Sequence, residues 1–284
     1  MLFCITRMTN MQSSNCFILK LISLVRKNPM ISEYIEIIIL STIQGISEFI
    51  PVSSSAHLIL LSKIGKFSTT SLMVDVSLHL GSLLAIIFYF RKDLINFFKN
   101  KNLSLLIIIG SIPLLIIGFL LYASNLIQYL RNIEIIAWTT LFFGILLYFA
   151  DNLKVTKKFN EDLNIKNILL IGLFQILALI PGVSRSGIVI TAGRFLNFNR
   201  YDSTKISFYL SIPALAGASL LGLKDLIGQN LEFNILIIFT VIFSFLFSYF
   251  TIKYFLAFTK KFSLKIFVYY RIFLAGLLFV IIYS

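Results

Sequence analysis

Two polar stretches interrupt an otherwise apolar chain, and both hold residue types suited to a phosphate-bearing ligand. The first runs Gln44-Gly-Ile-Ser-Glu48-Phe-Ile-Pro51-Val-Ser53-Ser54-Ser55-Ala-His57, the second Gln175-Ile-Leu-Ala-Leu-Ile-Pro181-Gly-Val-Ser184-Arg185-Ser186-Gly187. A charge at the middle of a spanning helix costs roughly 2.5–3.5 kcal/mol on the mildest insertion scale, so Glu48 and Arg185 imply a protein interior or a wet cavity. Gln44 and Glu48, four residues apart, share one helix face. Pro51 suits the first turn of a new helix, with Ser53, Ser54 and Ser55 close to its start, where free N–H groups and the helix dipole favour phosphate. His57, four residues past Ser53, returns to the same face as a candidate proton carrier. The second stretch supplies a permanent cation: the guanidinium fork of Arg185 matches two phosphate oxygens. The hydroxyls of Ser184 and Ser186 flank it, and Gly182 and Gly187 permit close backbone approach.

The elements that carry these stretches are membrane helices. Of 284 residues, 58% are apolar and 13% charged, with a mean hydropathy of +0.93, values foreign to a soluble domain or a disordered chain. Uncharged windows such as Leu103–Ser124 and Asn234–Ile252 are long enough to cross a hydrocarbon core of about 30 Å. Their continuous Phe, Ile and Leu predict helices rather than the alternating strands of a barrel. The net charge of +13 is spread through short connections, which fits topogenic charge and anionic headgroups and sets nucleic acid aside. Cys4 and Cys16 lie in the first sixteen residues, and no Cys/His cluster has metal-site spacing, so neither a disulfide framework nor structural zinc is expected.

From Ser32 onward, apolar blocks fall near 33–50, 52–64, 72–90, 103–124, 133–150, 165–180, 187–198, 206–223, 233–257 and 266–283. Pro51 and Pro181-Gly182 split two of them into short pairs, because helices usually stop before a proline. The expected fold is therefore an all-α polytopic bundle with two re-entrant, broken helix pairs. Setting Gln44 over Gln175, an offset of 131 residues, also sets Val52 over Val183, Ser53 over Ser184 and Ser55 over Ser186, while Lys92-Asp93-Leu94 matches Lys224-Asp225-Leu226 at an offset of 132. This order predicts an internal duplication within a single membrane domain. Residues 1–30 form an N-terminal extension, with Met30 an alternative start. Residues 31–150 are a first repeat, 151–166 a charged connection and 167–284 a second repeat. Duplicated membrane folds place their sites where interrupted helices meet near the midplane.

Blander roles are assigned elsewhere. Any single serine suits helix packing. Asp75 and His79 are expected to make an interhelical hydrogen bond, Trp138 to face lipid or the interface, and Glu33, Glu36 and Glu134 to sit at headgroup level. Glu48 has a structural alternative as well, a helix cap or an ion pair with Arg185.

The two stretches closely resemble the signatures of the bacitracin-resistance family of undecaprenyl-diphosphate phosphatases. The first matches an acidic or amide residue, three positions, glutamate, Phe-hydrophobic-Pro-hydrophobic-Ser-Ser and a histidine. The second matches Pro-Gly-x-Ser-Arg-Ser-Gly. The likeness extends through Leu78-His79-Leu80-Gly81, Phe90-Arg91-Lys92-Asp93-Leu94 and Tyr270-Arg271, and covers roughly 31–284.

The resemblance implies a multi-pass hydrolase of the bacterial inner membrane. It would remove the terminal phosphate of undecaprenyl diphosphate, recycle the carrier for peptidoglycan synthesis and confer bacitracin resistance, using inverted repeats, an active site open to the outer face and a divalent cation such as Mg²⁺ or Ca²⁺. The partners are then a polyprenyl diphosphate lipid and the bilayer, with a homodimer the one protein assembly considered. Three departures from the family pattern stand out: Gln44 where many members carry Glu, Val189 where Thr is common, leaving Thr191 as the only nearby substitute, and Ala56 for Gly.

On this reading Arg185, Ser184, Ser186, Ser53, Ser55, Gly182, Gly187 and Thr191 bind phosphate, while Glu48, helped by Gln44, holds the cation. Ser54 is the candidate nucleophile with His57 as base or acid, and direct attack by water is the competing route. The rival function is a transporter or flippase of the polyprenyl phosphate carrier, since inverted repeats and broken helices also serve transport.

Overall fold

A computed structural model describes residues 29–54, 56–58, 72–99, 101–124, 126, 130, 132–226 and 235–283. Cys4, Cys16, Ser55 and nearly all of the 1–30 extension lie outside the described residues. The described chain is helical: α1 Pro29–Ser47, α2 Leu72–Tyr89, α3 Arg91–Lys99, α4 Lys101–Ala123, α5 Ile133–Asp151, α6 Phe159–Asp162, α7 Ile165–Ile176, α8 Arg185–Phe195, α9 Arg200–Leu226, α10 Ile235–Lys261 and α11 Lys265–Tyr283. Among the described residues, six helices (α2, α4, α5, α9, α10 and α11) are long and apolar enough to cross a membrane. The all-α polytopic expectation therefore holds.

The six spans alternate in direction. α4, α9 and α11 run from one end of the bundle, here the basic end, to the other, and α2, α5 and α10 run back. Contacts between helix ends fix this arrangement. Asp151, closing α5, accepts from Arg200 at the start of α9 and from the Leu264 N–H just before α11. At the far end, Gly222 of α9 packs on Val76 of α2, and Tyr122 near the end of α4 donates to Asp225 near the end of α9.

Helix ends follow local chemistry. Asn132 caps α5 by accepting from Glu134 N at 2.9 Å, and Asn164 caps α7 by accepting from Asn167 N at 2.9 Å. The apolar block at 206–223 proves to be the middle of a longer helix, 200–226. Its first turn is polar, and Asn199 supports it by accepting from Asp202 N at 2.7 Å, so hydropathy underestimates the length. Pro213 lies inside α9 and Pro113 inside α4. Membrane helices tolerate such prolines because neighbours re-satisfy the freed backbone groups.

Small residues let the helices approach closely. Gly81 of α2 faces the Val241 carbonyl and Ser244 of α10, where an added Cβ would lie 2.6 Å from that oxygen. Ser244 Oγ donates to Leu78 O at 2.6 Å, and the hydroxyls of Ser82 and Ser248 are 3.0 Å apart. Close backbone contact stitched by hydroxyls is how helices associate where lipid offers no hydrophobic driving force. Large apolar side chains such as Ile108, Phe142, Phe149 and Phe273 remain exposed on the outside of the bundle, as a lipid-facing surface requires. Trp138 is among them, 56% exposed.

Two short hairpins enter this frame from opposite ends. α7 enters from the basic end beside α4, with Gly172 so close to Gly110 that an added Cβ would be 2.2 Å from the Gly110 oxygen. The chain then breaks at Pro181-Gly182, and α8 returns to the same end, where Arg194 meets the Asp151 and Leu153 carbonyls. α1 enters from the other end beside α10, with Ser41 near Thr240 and Gly45 against Phe247 and Ser248. After Pro51, Ser54 and residues 56–58 are helical. This turn heads back toward that end, since Ala56 packs in a cluster with Ile136, Ala137, Leu274 and Leu278.

Candidate active site at the junction of two broken helices

The tips of the two hairpins meet inside the bundle. Arg185 Nη2 donates to Glu48 Oε1 at 2.9 Å, with both side chains nearly buried, 12% and 9% exposed. Arg185 also reaches the Glu48 carbonyl at 3.4 Å and the Ser207 carbonyl of α9 at 3.3 Å. Ser186 Oγ donates to Ile50 O at 2.8 Å and lies 3.3 Å from Ser184 Oγ. The first hairpin is thereby tied to the second along the stretch just before Pro51. Phe49, fully buried, packs edge-on against Phe208 behind the pair.

The second tip is shaped by backbone constraint. Gly182 has φ +93°, and a Cβ there would lie 2.0 Å from Thr139 Oγ1, so only glycine fits. The carbonyls freed by the break find partners: Pro181 O accepts from Thr139 Oγ1 at 2.7 Å, and Gly182 O from Thr140 Oγ1 at 3.3 Å and from Arg271 Nη2 at 3.0 Å. Ser184 sits at φ 67°, ψ 113° as the N-cap of α8, accepting from Gly187 N at 3.2 Å. A non-glycine residue held there stores about 1–3 kcal/mol of strain, a feature that clusters at functional sites. The start of α8 therefore presents Arg185, two hydroxyls and its amino-terminal dipole together.

On the first tip, Gln44 Nε2 donates to Glu48 Oε2 at 3.0 Å, which occupies the second carboxylate oxygen. Gln44 Oε1 is buried and has no partner among the described residues. His57 is partly buried, with Nδ1 2.5 Å from Ser53 O and Nε2 2.6 Å from Tyr270 OH. A carbonyl can only accept, so Nδ1 carries a proton, and in the neutral ring Nε2 accepts from the tyrosine. Among the described residues no hydrogen bond joins Ser54, which is half-buried at the first residue of the turn, to His57. Ser53 Oγ accepts from Ala56 N at 3.4 Å, capping the turn.

Of the residues expected at the site, Gln44, Glu48, Arg185, Ser184, Ser186 and Gly187 come together, and Ser53, Ser54 and His57 follow on the adjoining turn. Gly182 lies at the bend and shapes the backbone. Ser55 is outside the described residues. Thr191 stands apart: it is 1% exposed and its hydroxyl donates to Gly187 O at 2.7 Å, one turn deeper in α8. Among the described residues Asp75 and His79 make no interhelical bond. His79 Nδ1 lies 2.8 Å from the Asp75 carbonyl within the same helix, because the oxygen four residues back is the nearest acceptor.

Two neighbours carry more weight than their sequence context suggested. Arg271, fully buried in α11, donates Nε to Thr140 O at 3.1 Å, and its Nη1 has no partner among the described residues. That nitrogen is 3.0 Å from where a Cβ on Gly187 would lie, so a second guanidinium borders the start of α8. The insertion argument that singled out Arg185 applies equally to this lone Arg in an apolar helix. Tyr270, one residue earlier, stacks on the His57 ring at a centroid distance of 5.6 Å.

The donor set bears on a cation. Among the described residues no group of three or more His, Cys, Asp or Glu could hold a metal, so a divalent ion here would draw most of its oxygens from phosphate and water. One carboxylate, Glu48, and the unpartnered Gln44 Oε1 beside it fit a Mg²⁺-type ion, which takes one or two protein oxygens and completes its shell with phosphate and water.

A model of the family described as bacitracin resistance protein BacA matches residues 37–277. Similar proteins bear the name undecaprenyl-diphosphatase. One from Pelagibacter ubique is 59% identical over 256 residues, 90% of this chain and 100% of its own length. One from Thermodesulfovibrio yellowstonii is 42% identical over 88% of this chain and 97% of its own. One from Saccharophagus degradans is 40% identical over 87% and 97%. With the two hairpin tips joined as described, the chain belongs to the bacitracin resistance protein BacA family.

Proposed function

We propose that this chain is a membrane phosphatase that hydrolyses undecaprenyl diphosphate to undecaprenyl phosphate and phosphate. The observation that carries the reading is the 2.9 Å contact between Glu48 of one hairpin and Arg185 of the other, at a helix start furnished with hydroxyls. The names of the relatives favour hydrolysis over carrier transport.

The terminal phosphate sits at the start of α8, held by the Arg185 fork, by Ser184 and Ser186 and by the helix dipole, with Arg271 Nη1 adding positive charge beside Gly187. Taking up Arg185 frees Glu48 from its ion pair. Glu48 and Gln44 Oε1 are then the groups that would hold a divalent cation, which would supply positive charge against the phosphate oxygens.

Ser54 attacks the terminal phosphorus while His57 Nε2, released from Tyr270, takes the hydroxyl proton. The undecaprenyl phosphate leaves, and water then cleaves the phosphoserine, returning the proton. In the competing route water attacks directly and Ser54 only orients it. The polyprenyl tail leaves sideways between helices into lipid.

The basic end of the bundle carries Lys92, Lys154, Lys157, Lys158, Lys166, Lys260, Lys261 and Lys265. Described ionisable residues at the other end include Lys224 with Glu134 and Asp225. The positive-inside rule then puts the basic end in the cytoplasm of an inner-membrane protein. The His57 turn, running toward the opposite end, opens the site outward.

Purified Arg185→Ala and Glu48→Ala should each lose most phosphate release from a long-chain prenyl diphosphate while remaining folded. Near-normal turnover by both refutes the site. Rapid quench separates the two routes, since a trapped phosphoserine supports Ser54 and its absence supports water. Scrambling of labelled carrier in vesicles without phosphate release would instead identify a transporter.

A further inference from the structure

A second concentration of charge lies at the basic end, about 13 Å along α8 from Arg185 at 1.5 Å per residue. There Asp151 at the end of α5, Arg194 near the end of α8, Arg200 at the start of α9 and Lys260 near the end of α10 border a cavity of about 520 Å³. The Asp151 carboxylate is fully committed: it accepts from Arg200 Nε at 2.6 Å, from Arg200 Nη2 at 3.1 Å and from Leu264 N at 3.1 Å. Arg194 is 2% exposed and donates to the carbonyls of Phe198, Asp151 and Leu153, yet its Nε, 4.0 Å from Asp151 Oδ1, has no hydrogen-bond partner among the described residues. Lys260 is exposed, with Nζ 4.7 Å from the centre of the Tyr201 ring. Three cations thus border the cavity against a single carboxylate.

Helix pairing accounts for the Asp151–Arg200 bridge. It does not account for a buried guanidinium N–H without an acceptor or for the surplus positive charge. The rim adds a second clue: Leu153 and Val155 are 40% and 54% exposed beside these cations, the mixture found where lipid phosphates meet acyl chains. We propose that this cavity binds a phosphate group with net negative charge, carried by an anionic phospholipid or present as free phosphate, at a site separate from the diphosphate site. Arg194, Arg200 and Lys260 supply the charge, and Leu153 and Val155 receive the first methylenes when the source is a lipid.

The test uses delipidated full-length protein in non-ionic detergent, probed by native mass spectrometry and thermal unfolding with phosphatidylglycerol, phosphatidylcholine or inorganic phosphate. Phosphatidylglycerol is expected to bind and to raise Tm where phosphatidylcholine does not. Lys260→Gln should weaken that binding about fivefold and Lys260→Glu about twentyfold, as expected for losing or reversing one nearby charge. Lys166→Glu, an exposed charge at the same end but outside the cavity, should leave it unchanged. Phosphate release by the Lys260 variants at the unmodified rate in zwitterionic micelles verifies their fold and keeps this outcome distinct from failure of the diphosphate site. Stabilisation by inorganic phosphate that depends on Lys260, without a phosphatidylglycerol effect, assigns the free anion as ligand. Binding that ignores Lys260, binding lost equally with Lys166→Glu, or no binding of either probe overturns the proposal.

Discussion

The two broken hairpins share a register but divide the chemistry. At the offset of 131, Ser53 falls on Ser184, but Glu48 falls on Leu179, Ser54 on Arg185 and His57 on Ile188. One hairpin brings the carboxylate and the imidazole of His57, and the other brings the permanent cation of Arg185. On the proposed mechanism neither tip alone would serve as a phosphate site, since the first lacks the guanidinium and the second lacks the imidazole. The glutamines sharpen the contrast. Gln44 donates to Glu48, whereas Gln175, fully buried, has Leu179 in the matching place and neither of its amide atoms has a partner among the described residues. In the first hairpin the amide serves the carboxylate, while in the second it faces no carboxylate at the matching position.

The largest effect that tests this division is on Arg185. Arg185→Ala should lower kcat for phosphate release by about 10²–10³-fold, the scale of losing a donor aimed at developing charge, and Arg185→Lys should restore only part of it because a point charge cannot imitate the fork. Next come the proton carriers. His57→Gln should slow turnover by about 10²-fold or more, while Tyr270→Phe, which removes the O–H that occupies Nε2, should cost less than tenfold. A Tyr270→Phe loss as deep as that of His57→Gln would make the tyrosine a participant rather than a partner in positioning.

A smaller effect is expected from Gln44→Glu. Adding a second carboxylate beside Glu48 should lower the Mg²⁺ concentration needed for half-maximal phosphate release without a comparable change in kcat. An unchanged metal dependence would remove Gln44 from the cation site. The smallest effect separates the two glutamines. A buried polar group without a partner costs about 1–3 kcal/mol, so Gln175→Leu should hold or raise Tm and preserve activity, whereas Gln44→Leu should impair phosphate release. Equal damage from both would erase the proposed difference between the hairpins.

Much of this arrangement is legible in the sequence, because membrane insertion makes polar residues conspicuous. Pro51 and Pro181-Gly182 mark both breaks, and the cost of burying Glu48 and Arg185 predicts that they share an interior. The structural alternative weighed for Glu48, an ion pair with Arg185, is the contact observed. What was illegible depends on contacts made only by tertiary packing. Arg271 reaches the α8 start from the last helix, and no local spacing ties it to Gly187. Thr191 has the right residue type, but helical rotation aims its hydroxyl at Gly187 O. The positive φ of Ser184 has no signal in a residue that is not glycine. The basic cavity assembles Asp151, Arg194, Arg200 and Lys260 from four helix ends, and the helix start at Arg200 was itself hidden by a polar first turn.

The central claim is that Glu48 and Arg185, from opposite hairpins, act on one diphosphate. A double-mutant cycle on phosphate release with Glu48→Asp and Arg185→Lys, mild enough to leave measurable rates, tests it most directly, because residues acting as a unit are non-additive. The account predicts that the double variant is about as slow as the slower single variant. Losses that multiply in full, as for two independent sites, would contradict it.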